Sequence, residues 1–516
     1  MSSCFKIFKN LYRDSVSLMQ VSARISKLPG VAQASVAMGT EANRAQLRDA
    51  GLGDAAGAGP NDLIVAVAGD EDACELALST AADLLSSVEE ADSAACNAKA
   101  AVVSLQAMLE AEPATNLALI SVPGDYAAAE AEKAIRLGMN VMLFSDNVSL
   151  QQEKAVKTLA RERRLMVMGP DCGTAIVNGM PLGFANVVRR GAIGLVAASG
   201  TGLQEVTCRI DQLGAGVSQA LGTGGHDLHE EIGGISMLHG LDALIEDAQT
   251  RVIVLVSKPP AQAVAEKILA RARAAGKPVV VNFLGAEPAL IERWGVHVAS
   301  TLADAAERAV ALLKDVPPAI NDDAREVAAR EALVERRSQL APRRRYIRGV
   351  FAGGTFCYES QLICQRQGIV AFSNTPIKGN HPLDNVWQST AHTLVDMGDD
   401  AFTRGRPHPM IDPTLRNERI VAELRDPETA VVLFDLVLGY GAALEPAAEL
   451  TTLIGDASRT GNDLPLLIAH VCGTDADPQN RNHQIHALRE AGVLVANCNA
   501  QAAYWAAYVA NLQKAE

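Results

Sequence analysis

The stretch Ile193-Gly194-Leu195-Val196-Ala197-Ala198-Ser199-Gly200-Thr201-Gly202-Leu203 decides the fold. An apolar run ends in Ser-Gly-Thr-Gly and passes directly into Leu203-Gln204-Glu205-Val206, a helical pattern. This predicts a buried strand, a tight turn and a helix start. Glycines let backbone N–H groups approach a ligand, and a helix N-terminus adds partial positive charge. An oxyanion such as phosphate or an acyl phosphate fits that turn. An ordinary strand-to-helix turn with Ser199 as N-cap gives the same pattern.

Working outward, the pattern recurs. Val350-Phe351-Ala352-Gly353-Gly354-Thr355 enters a helix as Val196 to Thr201 does. Residues 431–438 parallel 252–256, residues 466–471 parallel 279–284, and residues 492–495 parallel 295–298. The third unit therefore reads as a divergent repeat of the second. Upstream, apolar runs at 116–122, 140–144 and 165–168 alternate with helical patterns, as in a doubly wound sheet. Residues 1–68 read as a β-α-β opening.

The predicted class is α/β, with tandem doubly wound parallel sheets: a Rossmann-like N-terminal unit, then two flavodoxin-like units. The boundaries are 1–190 with a helical insertion at 69–112, then 191–313. A charged linker helix spans 314–344, and the last domain, 345–516, carries an insertion at 373–425. The linker closes on Arg343-Arg344-Arg345, either a solvated end or a phosphate contact.

Composition narrows the function. The chain has 516 residues and a net charge of −14, which argues against nucleic acid and anionic membranes as partners. No apolar stretch reaches the roughly 18 residues of a membrane span, and no signal-peptide core opens the chain. Nine scattered cysteines form no C-x-x-C pair. A cytoplasmic enzyme or enzyme subunit is expected.

Specific segments carry a family resemblance. Gly169-Pro170-Asp171-Cys172-Gly173-Thr174, Ala198-Ser199-Gly200-Thr201, Gly222–Asp227 and the Lys258-Pro259 strand end resemble the α subunit of succinyl-CoA synthetase over about residues 115–312. Nearly the whole chain more closely resembles the FdrA family, through Ser145-Asp146-Asn147-Val148-Ser149 and Arg406-Pro-His408-Pro-Met-Ile-Asp412-Pro-Thr-Leu-Arg416. The resemblance implies an acyl-CoA-synthetase-like protein. In members of purine (allantoin) catabolism it implies the large subunit of oxamate carbamoyltransferase, working beside two other subunits.

Departures from the synthetase pattern sharpen this. The first strand is followed by Phe8-Lys-Asn-Leu-Tyr-Arg-Asp14, without the glycines a CoA-binding loop needs. Lys277-Pro-Val-Val-Val-Asn-Phe-Leu-Gly285 runs directly into Ala286-Glu287-Pro288, so the loop bearing the family's phosphorylated histidine is missing. Ser257-Lys258 stands in place of the glutamate that orients it.

The reading is a carbamoyltransferase subunit of the oxamate type. It would move a carbamoyl group between carbamoyl phosphate and a small amide acid, with no resident cofactor, CoA or metal. Two other protein subunits and self-association are the expected partners. The phosphate would rest on Ser199, Gly200, Thr201, Gly202, Gly224, Gly225, Gly353, Gly354 and Thr355, with Arg404 and Arg416 as further ligands. His408 and His226 are candidate bases or carbonyl polarisers, and Lys258 and Arg406 neutralise developing charge. His226 is alternatively a loop histidine held by backbone. Asp396, Asp399 and Asp400 read as a capping turn or a metal site. Two rivals stand: a succinyl-CoA-ligase-like acyl-CoA synthetase subunit (ADP- or GDP-forming) with CoA and ATP sites on partner chains, and a non-catalytic scaffold.

Overall fold

Strand Arg190–Ala197 lies inside a seven-stranded sheet whose inward residues Ile193 to Ala197 are buried. The computed structural model describes residues 2–512 apart from 14, 96–103, 318–322, 405 and 460–463. Across this sheet the order is His297–Val298, Val279–Phe283, Val252–Ser257, Arg190–Ala197, Val217–Gly222, Thr174–Val177, Met180–Gly183. The strands from His297–Val298 to Val217–Gly222 are parallel, and the hairpin Thr174–Gly183 adds an antiparallel edge. Asn178 and Gly179 turn that hairpin with φ of 51° and 79°, the left-handed pair that a two-residue hairpin favours.

The second large sheet repeats the first. Its order is His381–Pro382, Phe372–Ser373, Thr393–Asp396, Tyr346–Phe351, Thr429–Val437, Leu466–Cys472, Leu494–Ala496, and every pairing is parallel. Tyr346–Phe351 takes the place of Arg190–Ala197, and Thr429–Val437 that of Val252–Ser257. The predicted repeat therefore holds over the five parallel strands of the first sheet, and the two sheets differ at the edge that Thr174–Gly183 forms. Both sheets carry continuous buried runs, as strands covered on both faces must.

Helices Gly200–Gln212, Leu302–Lys314, Gly354–Arg366 and Asn499–Leu512 fill the space between the sheets in one shared core. Leu203, Val206, Phe356, Ala503 and Ala507 belong to it. Two polar ties cross it. Glu205 Oε2 and His470 Nε2 lie 2.7 Å apart, both buried. Asp477 accepts from Val187 N–H at 2.7 Å, Asn186 Nδ2 at 2.8 Å and Thr474 N–H at 2.8 Å. The N-cap of helix Arg481–Glu490 is Asn480, so Asp477 is free for this clasp. Asp477→Ala strands buried donors and is expected to destabilise the chain by about 2–3 kcal/mol, read as a lower urea midpoint.

The N-terminal region corrects the sequence reading. Ser2–Phe8, Leu63–Gly69 and Val31–Met38 form a small sheet in that order, with the central strand antiparallel to both neighbours. It is not Rossmann-like. Alternation of strands and helices is silent about strand direction, and both crossovers could be drawn either way from the sequence. Helices Glu71–Ala95 and Leu105–Ala111 occupy the predicted insertion. Leu117–Ile120, Asn140–Leu143 and Val167–Met168 make a separate parallel sheet, while Thr174–Gly183 joins the next unit ahead of the predicted boundary. In the linker, helix Asp323–Ser338 forms as expected. Arg344 is neither solvated nor a phosphate ligand: it is 3% exposed and donates to the carbonyls of Asp426 and Thr429 at 3.0 and 2.7 Å. Among the described residues, no helix is long and apolar enough to cross a membrane.

Candidate functional site

Each large sheet reverses its winding beside one strand. Arg190–Ala197 lies between Val217–Gly222 and Val252–Ser257, and Tyr346–Phe351 lies between Thr393–Asp396 and Thr429–Val437. Such reversals open a crevice at the carboxyl ends of the strands, where α/β proteins bind ligands. Here the two crevices coincide. Ser199 Oγ and Thr355 Oγ1 are 2.5 Å apart, so the helix starts at Gly200 and Gly354 face one another. The first N–H groups of each helix have no intrahelical acceptor.

Ser199 caps its helix by accepting from Gly202 N–H at 3.0 Å. A Cβ at Gly202 would stand 2.6 Å from Ser199 Oγ, so glycine lets that cap form. Gly200 is exposed and Thr201 half-buried. On the other side the turn is held from behind. Asp435 accepts from Ala352 and Gly353 N–H, both at 2.7 Å, and fixes the backbone ahead of Gly354 and Thr355. Burial raises the Asp435 carboxyl above its ordinary range, and those two bonds oppose the shift.

Lys258 projects from the end of Val252–Ser257, exposed, with its ammonium 5.3 Å from the Tyr358 ring centroid. It thus reaches from the second unit to the first turns of helix Gly354–Arg366. Asp396 ends its strand beside the same helix start. His408 packs against Gly398, and its Nδ1 accepts from Met410 N–H at 3.2 Å. Burial pushes the His408 imidazole down to about 4, so the ring is neutral near pH 7 with its proton on Nε2. A hydrogen-bond donor is what that ring offers, which leaves the polariser role and removes the base.

A rim surrounds this pair of turns. Gly224 (φ +81°) brings its loop against Gly169-Pro170: a Cβ would fall 2.1 Å from Pro170 O. Gly225 beside it is exposed and meets nothing. His226 is exposed, with Nδ1 3.6 Å from the buried Glu153 Oε2. Asp171 is reachable by solvent, yet the walls around it desolvate its carboxyl. That desolvation, then repulsion from Asp146, pushes it up to about 6, while His226 pulls the other way. Cys172 is buried, donates to the carbonyls of Thr174 and Gly222, and has its thiol pushed up to about 12. It is a packing group.

The insertion divides. Arg404 and Arg406 are exposed. Asp399 caps the short helix Asp400–Thr403 through Ala401 N–H. Arg416 corrects the sequence reading: it is 2% exposed and donates to Asp435 O and Asn417 Oδ1, both at 3.0 Å. It buttresses the turn from behind and cannot touch a ligand there. Its place on the third residue of a helix, facing a strand, was invisible in a loop-like motif rich in proline. Asp435 was passed over as a site-forming carboxylate, although it lies in a predicted strand, and Asp396, read as part of a capping turn or a metal site, instead ends a strand beside the helix start.

Two family models mark acyl-CoA-ligase-type domains in this chain. Residues 350–509 match the family model described as CoA-ligase, and residues 189–285 match that of a CoA binding domain. The latter falls on the second unit. Residues 1–102 match the model described as AllF, heavy metal-associated domain. Among the described residues, no group of three or more His, Cys, Asp or Glu could hold a metal ion. The chain belongs to the family of YahF of Escherichia coli (strain K12), with 43% identity over 508 residues, 96% of each protein. It is also 26% identical over 223 residues to the alpha subunit of the ADP-forming succinate–CoA ligase of Methanothermobacter thermautotrophicus, covering 41% of this chain and 74% of that one. The dinucleotide-forming acetyl-coenzyme A synthetase 1 of Ca. Korarchaeum cryptofilum superposes with a TM-score of 0.32 at 14% identity, over 78% of this chain and 84% of that one. The CoA-ligase model and the succinate–CoA ligase relative overturn the carbamoyltransferase expectation.

Proposed function

We propose that this chain handles the acyl-phosphate stage of an acyl-CoA-ligase-type reaction, within the finer FdrA grouping. The phosphoryl group sits between the two helix starts. Ser199 and Thr355 hydroxyls, bonded to each other in the structure, turn to its oxygens. Lys258 balances its charge. Attack of a thiolate on the acyl carbon forms the thioester C–S bond and breaks the C–O bond to phosphate, which leaves with that oxygen and its electron pair. The reverse direction uses the same contacts. Positioning and charge stabilisation supply the rate enhancement, since phosphate is a good leaving group. The nucleotide site lies on a partner subunit in this reading, and CoA is placed against the second unit, where the CoA binding domain model matches.

The observation that carries the reading is the 2.5 Å contact between Ser199 and Thr355, which joins two switch-point turns into one seat. Inorganic phosphate is the probe. Calorimetry should show one phosphate bound per chain, weakened about tenfold by Ser199→Ala and by Thr355→Val, roughly 1.4 kcal/mol each. Phosphate binding that neither substitution alters would reject the seat.

A further inference from the structure

Asp396 crowds the start of helix Gly354–Arg366 in a way that an anion site does not tolerate from a carboxylate. Its backbone is fixed on both sides by Asn374, whose Oδ1 accepts Asp396 N–H and whose Nδ2 donates to Asp396 O, each at 2.9 Å. Carboxyl Oδ1 accepts from Gly398 N–H at 2.9 Å. Oδ2 lies over the helix start: a Cβ at Gly354 would stand 2.5 Å from it. A Cβ at Gly398 would stand 2.6 Å from His408 Nε2. Two glycines thus clear room for two side chains at one helix start. Among the described residues, Oδ2 has no hydrogen-bond partner.

An ionised Oδ2 would repel an oxyanion on the same turn by about 4 kcal/mol at 4 Å and an effective dielectric of 20. A carboxylic acid would instead donate to it. We propose that Asp396 is a proton-bearing ligand of this site, its carboxylic acid donating through Oδ2 to the oxyanion seated at Gly353–Thr355. The inference rests on the reading that the paired turns hold an oxyanion.

The surroundings make the acid form available. Burial is the largest influence on the Asp396 carboxyl and pushes it up to about 7. The Gly398 N–H and Lys258 oppose that shift, and Asp399 and Asp435 add to it. His408, on the other side, is uncharged at this pH. Anion and proton therefore bind together. The acid is present below about pH 7 and lost above it, so anion affinity falls as pH rises.

Sulfate tests this, because it stays a dianion across the range and does not itself titrate. With the full chain, sulfate affinity measured by calorimetry should be about tenfold weaker at pH 8 than at pH 6. Asp396→Asn keeps an N–H donor and cannot ionise. Its affinity should be independent of pH and close to the wild-type value at pH 6, with an unchanged thermal midpoint. Asp171 and other titrating groups remain in that variant, so the difference between the two proteins isolates Asp396. Wild-type affinity that is flat or rises with pH, or a variant that keeps the wild-type slope, would overturn the inference. Sulfate binding that is flat with pH but weakened by Ser199→Ala removes only the role of Asp396. No sulfate binding by either protein at any pH removes the oxyanion reading with it.

Discussion

Lys157→Met is expected to destabilise the protein by about 4 kcal/mol at pH 7.5, lowering its thermal midpoint by roughly 10 °C. The Lys157 side chain is fully buried, and its ammonium donates to Glu153 Oε1 at 2.7 Å, Asp227 Oδ1 at 2.8 Å and Thr223 O at 2.9 Å. Asp227 in turn accepts from Ser236 and Met237 N–H at the start of helix Ile235–Glu246. One cation therefore holds together a helix of the N-terminal region, the Thr223–Asp227 loop and a helix of the second unit.

Methionine fills similar volume and leaves two buried carboxylates without a cation. Removing one of those charges as well should recover part of the loss: the double variant Glu153→Gln, Lys157→Met should be more stable than Lys157→Met alone. Equal stability of the two would mean the loss comes from packing, and a loss below about 1 kcal/mol in Lys157→Met would deny the cation its structural role.

This network also shows where the sequence was legible and where it was not. Apolar runs ending in Ser199-Gly200-Thr201 and Gly353-Gly354-Thr355 located both switch-point turns, because glycine spacing and strand hydrophobicity are local. The matching of residues 252–256 with 431–438 predicted the correspondence of strands for the same reason. Lys157 lies in a stretch that reads as a basic surface helix, Leu-Gln-Gln-Glu-Lys-Ala-Val-Lys157, and nothing local marks it as interior. Two of its three partners are 66 and 70 residues away. Glu205 is hidden likewise, since the histidine that pairs with it comes from another unit, and Arg416 and Asp435 meet each other only through the folding of their own unit. Antiparallel pairing of Leu63–Gly69 with both its neighbours is a tertiary choice that periodicity does not record. The Asn178-Gly179 dipeptide, by contrast, is a local hairpin signal that a search for parallel strands passes over.

Gly224 and Gly225 separate architecture from chemistry at the rim of the site. Both were read as phosphate-binding glycines, and they differ sharply in what a methyl group would meet. At Gly224, φ is +81° and the new Cβ would sit 2.1 Å from Pro170 O and 3.2 Å from Gly169 Cα. A carbonyl oxygen cannot yield by rotating. It can move only with the turn that carries Asp171, whose N–H is bonded to Ser145 O at 2.9 Å. Gly224→Ala is therefore expected to lose about 4 kcal/mol from strain and displaced backbone together. Because Asp171 and His226 flank the clash on either side, the displacement should also spread the rim and weaken phosphate binding more than tenfold. Gly225→Ala meets nothing within 4 Å and should remain within about 0.5 kcal/mol of wild type. If phosphate contacted the Gly225 backbone at close range, that second variant would lose affinity without losing stability. Equal affinity in Gly225→Ala and wild type, with loss only in Gly224→Ala, assigns the loop to holding the rim in place and leaves anion contact to the two helix starts.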